Sequence, residues 1–415
     1  MLERFIALRF LRSRNKDGFI SLISAISFLG IMLGVATLIV VMSVMGGFHK
    51  TLLGRILGMN GHMVVYHSDG AVKDFDFLIG KMQGNPVVKA RTTGIIPIAE
   101  GQVMASANGA SKGAMLRGIR MSDLDKFTEV GRSAYGTDIS KIKEGQLVMG
   151  MVLAKNLKMY HGNPVTLMSL SGGRETAFGI MPRVQSYPAM STFKIGMYEY
   201  DGGFIFMPLE TAQTFLNIPG AATHIDLFLK NPEDTARVRA ALSDLLPPGF
   251  VVRDWRELNS GFVGALEVEK NVMFLILMLI IIVAAFNIVS SLVMMVKDKG
   301  RDIAIMRTIG MGRRQIMRIF VINGTLTGLI GAALGTGIGV LFAEYIEPIR
   351  QFLQRTTGRD LFPAEIYFLS ELPTELDPLT IAAIFFFAVA LSFLATLYPA
   401  RRAAKLEPAE VLKYE

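Results

Sequence analysis

Four stretches of this chain carry no Asp, Glu, Lys or Arg: residues 18–48, 271–296, 319–343 and 378–400, of 31, 26, 25 and 23 residues. A helix needs about 20 apolar residues to cross the hydrocarbon core of a bilayer. No water is available there, so the backbone must satisfy its own hydrogen bonds, as a helix does within one segment. All four stretches exceed the required length and are read as transmembrane helices. A purely soluble enzyme is excluded. The remaining composition agrees, with 51% of 415 residues hydrophobic and 19% charged, against roughly 25% charged in a soluble chain.

The net charge of +8 would suit nucleic acid or an anionic membrane surface, and its distribution decides between them. Residues 1–17, 297–318 and 399–415 hold 16 Lys and Arg in 56 positions, whereas 46–270 holds 24 in 225 and 344–377 only 3 beside 7 acidic residues. By the positive-inside rule the three basic segments are cytoplasmic, both termini included. The charge is therefore topology, and nucleic-acid binding is not expected. The implied organisation is a cytoplasmic amphipathic helix in 1–17, the first span at 18–48 and an exterior domain with a stalk helix at 49–270. The second span at 271–296 is followed by a cytoplasmic segment at 297–318, the third span at 319–343, an exterior loop at 344–377, the fourth span at 378–400 and a cytoplasmic tail at 401–415. Arg4, Arg9, Arg12 and Arg14 precede the first apolar run as in a secretory signal. That run is longer than a signal's apolar core and lacks an A-x-A-like cleavage site, so it is read as a retained anchor. With no cysteine, structural disulfides and thiolate-bound metals are excluded.

The exterior region reads as a mixed α/β domain. Alternating segments at 62–66, 94–105, 114–119, 165–170, 204–207 and 224–229 predict strands, and 152–160, 209–216 and 232–245 predict helices. From Trp255 onward Leu258, Phe262 and Leu266 recur every four residues with no breaker, which predicts one helix over 255–296. Gly324 and Gly328, then Gly331, Gly335 and Gly339, are spaced four apart in the third span, and Gly30 and Gly34 in the first. Small residues at that spacing let helices approach closely in lipid. The spans hold no ionisable residue, which argues against an ion-coupled carrier or a channel. Neither a phosphate-binding G-x-x-x-x-G-K-[ST], nor G-x-S-x-G, nor H-E-x-x-H occurs. His62 and His67 fall on opposite faces of a strand. The chain reads as non-catalytic and metal-free, its energy supplied by a partner.

In 297–318, Asp302 to Thr308 can form two helical turns presenting Ile303 and Met306 on one side, ended by Gly310 and Gly312. From the residues alone this is either a docking element or a solvated hairpin. The run Asp302-Ile-Ala-Ile-Met-Arg-Thr-Ile-Gly310 resembles the coupling helix of ABC-transporter permeases of the MacB/FtsX superfamily. The tail from Tyr398-Pro-Ala-Arg-Arg-Ala-Ala-Lys405 to Glu415 resembles that superfamily's tail. One span, a large outer domain and three further spans are also its plan. Narrower matches point to the lipoprotein-releasing permeases of the LolC/LolE family. They are Arg9-Phe10-Leu11-Arg12, Ser43-Val44-Met45-Gly46-Gly47-Phe48, Glu269-Lys270-Asn271, Phe286-Asn287-Ile288-Val289-Ser290-Ser291 and the run from Glu365 to Pro373. The chain departs from the family pattern at Gly46 and His49, where members usually carry Asn and Glu, and it mixes features of the C and E types.

The resemblance implies a MacB-like periplasmic domain and a complex of two permeases, identical or related, with a dimer of cytoplasmic ABC ATPases. That complex lifts lipoproteins out of the inner membrane and passes them to a periplasmic carrier. It implies no cofactor on this chain, ATP and Mg being held by the ATPase. ATPase coupling would fall to Asp302, Ile303, Ala304, Met306, Arg307 and Gly310. A lipoprotein cavity would be lined by Met42, Val44, Met45, Phe48, Met273, Phe274 and Leu277, since adaptable methionines suit irregular acyl chains. A carrier-docking hook would be formed by Arg174, Phe178, Ile180, Met181, Pro182 and Arg183. Two alternatives from the same superfamily are a mechanotransmitting regulator of periplasmic cell-wall hydrolases and an efflux permease.

Overall fold

A computed structural model describes residues 18–127, 134–136, 141–159, 161–176, 179–358, 362–363, 369 and 371–405. The amphipathic helix expected before residue 15 and the tail beyond 405 lie outside them. The chain forms two compact units, one helical and one built from 50–264 with 360–371.

Four helices among the described residues are long and apolar enough to cross a membrane. They span Gly18–Met59, Ser260–Asp298, Arg313–Thr357 and Pro378–Lys405. The first runs past its uncharged stretch because Leu52, Ile56 and Met59 continue a buried stripe at helical spacing. The single helix expected over 255–296 is instead two. Trp255–Leu258 opens with an Asp254 capping box and ends at Asn259, whose side-chain amide donates to the Trp255 carbonyl at 2.8 Å. An Asn that bonds its own backbone competes with helix continuation.

The glycines of the third helix set the packing of the helical unit. A Cβ added at Gly324 would strike Thr396, and one at Gly328 would strike Ser392, both on the fourth helix. At Gly331, Gly335 and Gly339 it would meet Ile31, Met32 with Val35, and Ala36 with Ile39 on the first helix. Gly30 faces Asn287 of the second helix.

Among the described residues the large unit contains twelve strands: β1 (Met63–His67), β2 (Val72–Lys73), β3 (Thr92–Ala107), β4 (Ala110–Ile119), β5 (Ala134–Gly136), β6 (Leu147–Gly150), β7 (Pro164–Thr176), β8 (Gly179–Phe193), β9 (Phe204–Pro208), β10 (Ala221–Ala222), β11 (His224–Leu229) and β12 (Phe250–Asp254). All six expected strands are present. The expected helices occur as Met151–Asn156, Leu209–Phe215 and Thr235–Ser243, each shorter than its pattern. Pairing runs β3–β4–β9–β6–β8–β7 and returns to β3, so six strands close a ring. Each contributes a buried pair two residues apart to one core. These are Val103 and Ala105, Ala114 and Leu116, Leu147 and Met149, Val165 and Leu167, Tyr187 and Ala189, and Ile205 and Met207. This is the inward half of strand alternation around a small, filled barrel. The first half of β3 leaves the ring to pair with β11, which pairs with β1 and through it with β12. The strand that follows the first long helix thus lies beside the strand that precedes the second.

Candidate functional site

The segment between the second and third long helices folds as a helix over Gly300–Thr308, closed by Gly310 at φ +104°. A side chain rarely adopts that backbone conformation, so Gly310 ends the helix as its residue type allows. The face differs from the expected one. Ile303 is 0% and Ala304 2% exposed, and Ile303 packs with Val296, Ile316, Phe320, Ala400 and Ala403. Met306 joins the same cluster. The apolar side assigned to docking therefore serves this chain's own core. What the segment offers outward is Ile305, 44% exposed, and Ile309, 82% exposed. Asp302 pairs with Lys299 at 3.1 Å, orienting the first turn, and Arg307 is half-buried in the last.

The residues expected to line a lipoprotein cavity stand apart from a small cavity among the helices. A cavity of about 40 Å³ lies between the first, second and fourth helices, lined by Ile31, Gly34, Val35, Leu38, Ile280, Ile288, Ile384, Phe387, Ala388, Leu391 and Ser392. Among the expected residues whose side chains are described, none lines it. Met42 packs onto the helical core beside it, while Val44, Met45, Phe48 and Met273 are half-buried. The side chains of Phe274 and Leu277 lie outside what is described. Space for a molecule of water begins at about 10–15 Å³, so this cavity admits a methyl group or two and no acyl chain.

The segment expected as a hook is the end of the β7–β8 hairpin. Arg174 pairs with Met181 and Thr176 with Gly179. The register slips between Ser169 and Arg174, where β7 carries Ser171-Gly172-Gly173, a bulge that re-aims the tip. Met181 is 65% and Val184 58% exposed, while Pro182 and Arg183 are half-buried. Phe178 and the side chains of Arg174 and Ile180 lie outside the described residues.

Three of the motifs quoted above converge in the helical unit. Gly47 lies so close to the next chain that an added Cβ would stand 2.6 Å from Thr374 Cα and 2.7 Å from the Pro373 carbonyl oxygen. The Glu375 N–H donates to the Ser43 carbonyl at 2.8 Å. His49 Nε2 lies 2.8 Å from Glu269 Oε2, and Glu347 accepts from Arg350 at 2.6 and 2.7 Å and from the Leu372 N–H at 3.1 Å. Ser43 to His49, Glu269 and Pro373 to Glu375 thus form one collar, a reason for those residue types that the sequence did not show. The Glu usual at position 49 would set two carboxylates together here.

A buried ionic cluster in the large unit was missed altogether. Arg117 on β4 is 4% exposed and stands directly opposite Glu100 on β3, with Nε 2.6 Å from Oε2. Its Nη1 donates to the Met59 carbonyl at 2.7 Å and its Nη2 to Asn60 Oδ1 at 3.1 Å. Asp226, 1% exposed, accepts from the Gly61 N–H at 3.0 Å and lies 3.4 Å from His224 Nε2. Burial alone would raise the Glu100 carboxyl, but the Arg117 charge, aided by His224, holds it below its ordinary value. Burial raises Asp226 despite His224 and Arg117.

A MacB-like periplasmic core domain model matches residues 24–245, and an FtsX-like permease C-terminal model matches 274–408. Long apolar helices and a β-rich domain in one chain, with these two matches, define an ABC-type permease of the FtsX and MacB kind. The chain is 35% identical to the lipoprotein-releasing system transmembrane protein LolC of Neisseria meningitidis serogroup B, over 100% of this chain and 99% of the relative. It is 35% identical to LolC of Xylella fastidiosa strain Temecula1, over 99% and 98%. To LolE of Haemophilus influenzae it is 32% identical, over 98% of each. The chain belongs to the LolC/LolE family of lipoprotein-releasing system transmembrane proteins.

Proposed function

We propose that this chain is an inner-membrane permease subunit that extracts lipoproteins from the membrane and hands them to a periplasmic carrier, driven by ATP hydrolysis on a separate subunit. Likeness to LolC and LolE relatives along its whole length carries the reading. It crosses the membrane four times, with both termini in the cytoplasm and the large domain in the periplasm, as the crowding of Lys and Arg at 1–17, 297–318 and 399–415 supports.

A dimer of ABC ATPases engages the 300–310 segment from the cytoplasm. Asp302, Ile303, Ala304 and Met306 hold that helix on the permease, Gly310 ends it, and Ile305, Arg307 and Ile309 meet the ATPase. ATP and Mg are bound there and not by this chain. A second permease, identical or related, completes the complex. The acyl chains enter between the outer parts of the first two spans, near Met42, Val44, Met45, Phe48, Met273, Phe274 and Leu277. Withdrawing a lipid chain costs about 0.8 kcal/mol per CH₂, and the 40 Å³ cavity must widen to receive it, so both steps need external energy. The β7–β8 tip, from Arg174 through Phe178, Ile180, Met181 and Pro182 to Arg183, docks the carrier. Depletion followed by fractionation of the two membranes tests the reading: outer-membrane lipoproteins should accumulate in the inner membrane. Normal sorting with stalled division would instead favour the cell-wall regulator.

A further inference from the structure

Where the first long helix ends inside the large unit, four successive residues are each fixed by a hydrogen bond from elsewhere in the fold. The Met59 carbonyl and the Asn60 side chain accept from Arg117 at 2.7 and 3.1 Å. Asn60 Nδ2 also donates to the Tyr200 hydroxyl at 2.6 Å. The Gly61 N–H donates to Asp226 at 3.0 Å, and an added Cβ there would stand 2.8 Å from the Asp226 side chain. The His62 carbonyl accepts from the Trp255 N–H at 3.0 Å, at the start of the segment that leads back toward the second long helix.

A loosely attached helix end needs one cap. Here a cation is placed at the negative end of the helix dipole, its guanidinium forked between helix and sheet. Buried ion pairs contribute little net stability, because desolvation offsets their attraction, while their geometry is narrowly defined. A cluster of this kind therefore fixes position more than it adds stability.

We propose that Arg117, balanced by Glu100 and Asp226, is a positioning residue for transport, the rigid joint that makes the last turn of the first long helix move together with the sheet of the large domain. The proposal rests on the lipoprotein-release reading. With the joint loosened, the ATPase would still turn over but its work would not reach the large domain.

The test uses the full complex in proteoliposomes loaded with one triacylated lipoprotein, measuring release to the soluble carrier and ATP hydrolysis together. Asn60→Ala removes the side-chain links to Arg117 and Tyr200 but keeps the Arg117–Glu100 pair and the Arg117 bond to the Met59 carbonyl. Arg117→Lys keeps the charge and loses the fork. Fluorescence of Trp255, the only tryptophan of this chain, measured on the purified full-length permease in detergent before assembly, reports whether the large domain has kept its fold. With emission unchanged, each variant should keep hydrolysis within about twofold of wild type while release falls at least about tenfold. Release within about twofold of wild type, or release and hydrolysis falling in proportion, would overturn the proposal. If Arg117→Lys loses its fold, Asn60→Ala alone decides. A wild-type complex that releases nothing would sink the transport reading instead.

Discussion

Gly335→Ala adds one methyl group at the tightest backbone contact between the first and third helices. A Cβ there would stand 2.5 Å from the Met32 carbonyl oxygen and 2.9 Å from Val35 Cβ. Relaxed carbon contacts lie at about 3.5–4.0 Å, so the two helices must part by roughly 1 Å. The nearest atom is backbone, and no rotamer change relieves it. Forcing an extra methyl into a packed interior costs about 1–3 kcal/mol, against a gain of about 1 kcal/mol for replacing Gly by Ala within a helix. Gly337 supplies the control, since a Cβ there meets nothing within 4 Å. Gly337→Ala shares the helix-propensity gain and lacks the clash. The difference between the two variants therefore isolates the clash, at about 1–3 kcal/mol. The chain has no cysteine, so Ile39→Cys can report on both: Ile39 is 0% exposed, and cysteine is smaller. Maleimide labelling of that thiol along a denaturant series in detergent gives the midpoint at which the helices separate. Gly335→Ala should lower the midpoint relative to Gly337→Ala. Equal midpoints, or a lower one for Gly337→Ala, would refute the assignment of this face.

The coupling segment separates two effects: Ile305→Asp should abolish co-purification with the ATPase and leave the permease folded. Ile303→Asp, which buries a charge, should reduce the amount of folded permease, scored by size-exclusion chromatography in detergent. At the β7–β8 tip, Met181→Asp with Val184→Asp should weaken carrier binding at least about tenfold in a pull-down without shifting thermal stability, as exposed substitutions usually change stability by less than about 0.5 kcal/mol. Glu100→Gln should cost about 3–5 kcal/mol at pH 7, because it leaves Arg117 buried without its anion. Arg117 depresses the folded value of Glu100, so the stability it contributes is present above the ordinary value of 4.5 and is lost as pH falls through the lower folded value. The gap between wild type and variant should narrow below that pH in Trp255-monitored melts.

The long helices were legible because their signal is local: absence of charge over a sufficient length. Six strands were legible through alternation. β8 was not, because Pro182 and Pro188 read as loop punctuation; the hairpin that contains them is set by pairing with β7, a non-local matter. Arg117 was invisible for a related reason. In a strand that alternates, an arginine reads as solvent-facing, and only the register opposite Glu100 and the arrival of Met59 make it central. The Ile303 face shows a different limit. An apolar stripe on a two-turn helix says that something covers it, not whether the cover is a partner or the same chain. Asn259 could have been suspected, since Asn weakens a helix interior, but the apolar spacing around it outweighed that signal.

The glycines of the third helix carry one more consequence. On a helix of 3.6 residues per turn a step of four drifts by about 40°, and a step of three returns by about 60°. The single three-residue step, from Gly328 to Gly331, therefore keeps all five glycines on one face about 80° wide. That face meets the fourth helix at Gly324 and Gly328 and the first at Gly331, Gly335 and Gly339. Two neighbours share one surface at successive heights, and neither can slide without lifting off backbone contacts. The first, third and fourth helices thus form a block. The second packs on it through Asn287, Ile288 and Leu292, but is less covered earlier along its length, where Leu275, Leu279, Val283 and Phe286 are each more than half exposed and a Cβ at Gly34 meets only the Ile280 side chain, at 3.9 Å. Widening of the small cavity between the first, second and fourth helices is then cheapest by displacing the second helix around Ile280, where its neighbours on the sequence are exposed, rather than around Ile288 and Leu292, which are buried in the shared core.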